Sequence, residues 1–69
     1  MNIDEFEALY SKEYERELES CDHWIKWCES QDPPDTHGMN FHEGRRSALI
    51  YNDIKMRQLL RSLKLAQTP

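Results

Sequence analysis

The residues of this chain best suited to hold a metal or act as nucleophiles are two cysteines and three histidines, and their spacing decides what they can do. Cys21 and Cys28 are seven positions apart. On a helix that is two turns, or about 10.5 Å along the axis. A disulfide needs Cα atoms within about 7 Å, and one zinc ion, with thiolates at about 2.3 Å, cannot reach both. Both thiols share one helix azimuth, so the expected role is that of small buried apolar side chains. His37 and His42 lie near Asp35 and, across a turn, near Cys28, but these four match no standard zinc-ligand spacing and there is no CxxC knuckle, so no metal is expected. His23 falls on an acidic, solvated face. The chain has no Ser-His-Asp constellation and no glycine-rich phosphate loop, its two glycines being Gly38 and Gly44. No catalytic residue and no cofactor are expected, and the protein reads as a non-enzyme.

Other residues suit contact rather than catalysis. Leu9 and Trp27 are 18 positions apart, five helical turns, so they share an azimuth, with Phe6 and Trp24 beside them. Ile50, Tyr51, Ile54 and Leu65 point away from the leucine stripe of their own helix. These flanks, Leu9, Trp24, Trp27, Ile50, Tyr51 and Ile54, are the expected protein-interaction surface. Arg45 and Asn52 fall within the apolar stripe one heptad apart, where a polar layer can fix register and oligomeric state. A buried Arg45 needs a partner, and Glu13 or Glu17 could supply one. Arg46, Arg57, Arg61 and Lys64 form a basic stripe that could follow a phosphate backbone. Asp53 interrupts that stripe, and no helix-turn-helix signature accompanies it.

The elements that must position these groups are two long amphipathic helices. In the first, Ile3, Phe6, Tyr10, Tyr14, Leu18, Cys21, Ile25 and Cys28 recur at steps of three and four, the helical period. Asn2 and Glu5 make a capping box at its start, and Pro33-Pro34 ends it. The second carries Phe41, Ala48, Leu49, Met56, Leu59, Leu60, Leu63 and Ala66, with Asn40 and Glu43 as its expected capping box. The spacing predicts helices over 3–31 and 41–66, a loop over 32–40, and Pro69 closing the chain. The whole of 1–69 reads as a single all-α antiparallel hairpin, expected to dimerise into a four-helix bundle because each helix has more apolar surface than one partner covers.

Charge supports that pairing. Residues 1–32 carry ten acids against three bases, whereas residues 41–69 carry six bases against two acids. The net of −4 disfavours nucleic acid as the first partner. No apolar run is long enough to cross a membrane. The N-terminal Met1-Asn2-Ile3-Asp4-Glu5 has neither the basic region nor the apolar run of a secretory leader, so a cytoplasmic protein with reduced thiols is expected.

The stretches Cys21-Asp22-His23-Trp24-Ile25-Lys26-Trp27-Cys28 and Glu43-Gly44-Arg45-Arg46-Ser47-Ala48-Leu49-Ile50-Tyr51, with the chain's size, resemble the small accessory proteins of lambdoid temperate bacteriophages. That resemblance implies a regulatory protein that binds a host factor, in the host cytoplasm, during the switch between lysogenic and lytic growth. The hairpin plan is also similar to small plasmid RNA-binding helical-hairpin dimers, a likeness of architecture alone. The leading expectation is a non-enzymatic adaptor or regulator that binds itself and a host protein. The alternatives are nucleic-acid binding through the basic stripe, and an acidic DNA mimic.

Overall fold

A computed structural model describes residues 1–67 as two antiparallel helices, α1 (Ile3–Glu29) and α2 (Thr36–Gln67), joined by a six-residue turn. Pro69, expected to close the chain, lies outside the described residues. The all-α hairpin expected from the sequence is what forms. No helix among the described residues is long and apolar enough to cross a membrane.

α1 begins where the capping signal places it. The Asn2 side chain accepts a hydrogen bond from the Glu5 backbone N–H at 2.8 Å, and its amide donates to the Glu5 carboxylate at 3.2 Å. These bonds satisfy one of the orphan donors of the first turn. At the other end Ser30 closes the helix, its hydroxyl donating to the Trp27 carbonyl at 2.6 Å. The Cys28 carbonyl accepts from the backbone N–H of Asp35 at 3.0 Å, which turns the chain back.

α2 starts five residues earlier than its periodicity suggests. Asn40 is not its cap; Asp35 is, accepting from the Gly38 N–H at 2.9 Å. The Asn40/Glu43 pair lies within the helix and does no capping. Gly38, read as a loop residue, belongs to the first turn of α2 and lets that turn close on α1. A Cβ built there would stand 2.7 Å from Cys28 Sγ and 2.5 Å from the capping carboxylate of Asp35. At Gly44 a Cβ would meet nothing within 4 Å.

The hairpin is one helix thick, with extents of 59 × 17 × 11 Å. Its radius of gyration is 16.2 Å, against about 11 Å for a compact domain of this length. Among the described residues only Cys21, Cys28 and Leu60 are fully buried. Burial raises the affinity of the Cys28 thiol for its proton, and the adjacent Asp35 carboxylate, 3.9 Å from the sulfur, adds to the effect. Both cysteines are free. They serve as small residues that let the helices approach near the turn.

The two glycines should respond oppositely to alanine. Gly44→Ala should stabilise by about 0.5–1 kcal/mol, the ordinary gain of helix propensity. Gly38→Ala should destabilise by about 1 kcal/mol, because displacing the Asp35 cap and crowding the thiol outweighs that gain. Combining Gly38→Ala with Cys28→Ala moves the lost volume across the contact and should recover stability relative to Gly38→Ala alone. Thermal melts of the three variants against the wild type check the set; a stabilising Gly38→Ala would contradict the close approach.

Candidate interaction face

The seam between the helices is bounded by two different edges. One edge is polar. Lys64 bridges Glu7 at 2.9 Å and Asp4 at 3.5 Å, and Arg46 meets Asp22 at 3.0 Å. Between them Arg57 donates to Ser11 Oγ at 3.1 Å and to Asp53 at 3.2 Å. Three of the four residues of the basic stripe are therefore engaged inside the hairpin. The hydrogen bond to Glu7 holds Lys64 protonated to higher pH than usual, with Asp4 adding to it.

Asp53 interrupts the basic stripe in sequence, and the fold turns that interruption to use. Its carboxylate also accepts from the Tyr10 hydroxyl at 2.9 Å, across the seam, while the Arg57 guanidinium lies 5.6 Å from the Tyr10 ring. Ser11, Tyr10, Asp53 and Arg57 thus form a polar cross-link that sets the register of α1 on α2. Its residues carry no motif, and the reach of Tyr10 to a position 43 residues away has no local sequence signal.

The other edge is apolar and open. At the end away from the turn, Ile3, Phe6, Met56, Leu59, Leu60 and Leu63 line an open groove of about 500 Å³. In the middle, Tyr10, Glu13, Tyr14, Glu17, Leu49 and Asn52 line a shallower one of about 170 Å³. Near the turn, Trp24 stacks on His42 with ring centroids 6.0 Å apart, and Trp27 meets Trp24 edge-on at 5.7 Å. Phe41 packs edge-on against His42. Together these make one open face along the length of the hairpin, apolar at both ends and interrupted in the middle by Glu13, Glu17 and Asn52. Leu59, Leu63 and Phe41 are 61%, 53% and 64% exposed on it.

This corrects the expected burial of the leucine stripe. Adjacent helical residues point 100° apart, so when Leu60 faces α1, Leu59 cannot. The stripe is too wide for one partner helix, and half of it is left outside. The expected interaction residues also separate. Trp24 and Trp27 belong to the apolar face, and Leu9, on the azimuth of Trp27, stands exposed at its rim. Ile54 does not join them: it is nine residues from Leu63, half a revolution away. Tyr51 lies on that far side too, with the Lys55 ammonium 4.6 Å from its ring centre, and Ile50 is half-buried. Phe6, Phe41, Leu59 and Leu63, which periodicity assigned to the core, are instead exposed on this face.

In the polar layer, Arg45 bridges Glu17 at 3.5 Å and meets His42 Nδ1 at 3.0 Å. Asn52 is exposed in the hairpin, at the rim of the middle groove. No group of three or more His, Cys, Asp or Glu among the described residues could hold a metal ion. Comparison with models of known protein families, with curated protein sequences and with solved structures returned no match.

Burial, reinforced by the hydrogen bond to Asp53, pushes the Tyr10 hydroxyl up to about 12. A group whose pKa is raised on folding stabilises below its unfolded value and loses that contribution as pH rises through the folded value. Stability should therefore fall between about pH 10 and 12. Ultraviolet titration should show one of the three tyrosines ionising well after the others. Asp53→Asn should bring that late ionisation earlier; three tyrosines titrating together near 10 would contradict the cross-link.

Proposed function

We propose that this chain is a small non-enzymatic regulatory or adaptor protein that acts by protein–protein contact, of the kind the temperate-phage accessory proteins it resembles provide against a host factor. The observation that carries the reading is the open apolar face, with Phe6, Phe41, Leu59 and Leu63 exposed along it and Leu9, Trp24 and Trp27 toward its rim. Contiguous exposed apolar surface rimmed by charge marks contact sites. Tryptophans are favoured anchors there because they bury much area with little loss of conformational freedom.

Nucleic-acid binding is the weaker reading. Arg46, Arg57 and Lys64 already answer acids or hydroxyls of the hairpin, and releasing them for phosphates would cost those contacts. The acidic outer side of α1 supports a DNA mimic only through its charge.

Affinity capture from a bacterial lysate with the full chain tests the proposal. A discrete protein should be retained by the wild type and by Tyr51→Lys, on the far side, and lost with Trp27→Ala. Retention of nucleic acid alone, weakening steeply with salt, would overturn it in favour of the basic stripe.

A further inference from the structure

We infer, building on the protein-contact reading, that the apolar face is covered by a second copy of this chain, packed face to face about a two-fold axis parallel to the helices, with both turns at the same end and α1 of each copy lying over α2 of the other.

The amount of uncovered surface fits such a partner. The hairpin exposes 5564 Å², whereas a compact monomer of its mass exposes about 4,600 Å². The surplus of about 1,000 Å² is close to the roughly 800 Å² that each partner contributes to a standard stable interface. The hairpin is also a single layer 11 Å thick, and stable domains bury their apolar faces between at least two layers. A second hairpin supplies the missing layer.

Charge selects the copy and its orientation. Two face-to-face arrangements have a two-fold axis in the plane of the interface. If that axis runs across the helices, α1 lies on α1 and α2 on α2. The Glu13 and Glu17 side chains of the two copies then crowd together, and the acidic helices become neighbours. If the axis runs along the helices, every adjacency is α1 with α2. Residues 1–32 are ten acids to three bases and residues 41–69 six bases to two acids, so each acidic helix then has basic helices on both sides.

The side chains match at each level along that axis. Phe6 and Ile3 of one copy meet Leu59 and Leu63 of the other, closing the groove of about 500 Å³ from both sides. In the middle, Glu13 and Glu17 face the Arg45 and Asn52 of the second copy, so each Arg45 stands between the Glu17 it already binds at 3.5 Å and a second one. Near the turn, the Trp24 and His42 stack meets Phe41. An apolar–polar–apolar sequence of layers of this kind penalises slipped registers. Leu9 and Trp27 stay at the rim, free for another protein.

Sedimentation equilibrium of the full chain at tens of micromolar should give about twice 8.3 kDa. Leu59→Lys should weaken self-association about a hundredfold or more, since each change occurs twice at a two-fold interface and places a charge in an apolar layer. Leu59 is exposed in the isolated hairpin, so the change removes no buried contact within one chain. Tyr51→Lys, on the far side, should not alter the mass. A nitroxide pair on Asp32→Cys reads the orientation without touching the interface. Both turns at one end place the labels within about 30 Å, whereas opposed ends separate them by the length of α1, about 40 Å. A monomer at these concentrations, dissociation by Tyr51→Lys instead of Leu59→Lys, or labels about 40 Å apart would each overturn the inference. A monomer that still captures a protein through Trp27 would overturn this inference alone and leave the protein-contact function standing.

Discussion

Two helices side by side have one seam and two broad faces, and the rest of this structure follows from that constraint. A single partner helix covers a narrow strip of its neighbour. Apolar stripes as wide as those of α1 and α2 therefore cannot be buried within one hairpin, whatever side chains fill them. Only three of the described residues are fully buried, two of them cysteines. A core this small contributes too little to hold a chain of this length by itself. The long polar edge, from Lys64 with Glu7 to Arg46 with Asp22, supplies register and little stability, because exposed ion pairs are each worth about 0–1 kcal/mol.

The two edges of the seam divide the work. Tyr10, Asp53, Arg57 and Ser11 fix how far α1 slides along α2. That register places Phe6 beside Leu59 at one end and Trp24 beside His42 at the other, so the opposite edge carries apolar surface at both ends with the Glu17–Arg45 pair between them. The cysteines and Gly38 bring the helices close near the turn, and the Asp35 cap anchors the start of α2 on the Cys28 end of α1. Binding through the apolar strip would couple recognition to stability, since whatever covers Leu59 and Leu63 also completes the core.

Much of the fold is legible in the sequence, because helix period, capping and charge are local or additive signals. Asn2 with Glu5 marks the start of α1 as read, and the acid–base asymmetry between halves appears as the pairs across the seam. The start of α2 is missed for a physical reason. Asn40 and Glu43 have the right spacing for a cap, but Asp35 reaches the chain first, and a glycine three residues on hides the signal. The open face is only half legible. Trp24, Trp27 and Leu9 stand out by type and azimuth, yet periodicity cannot say which half of a wide leucine stripe a neighbour covers. That choice depends on the rotation of α2, which the distant Tyr10–Asp53 contact helps to set. The same rotation sends Ile54 and Tyr51 to the far side.

The central claim, that the hairpin is half of a core and is completed by association, is tested most directly by thermal melting across concentration. Unfolding coupled to dissociation makes the midpoint depend on protein concentration. With about 0.7 kcal/mol of unfolding enthalpy per residue, two chains melting together should shift Tm upward by about 5 °C for each tenfold increase in concentration. A cooperative melt at a Tm that stays constant from one to a hundred micromolar would show a hairpin that is stable alone, and would contradict the account.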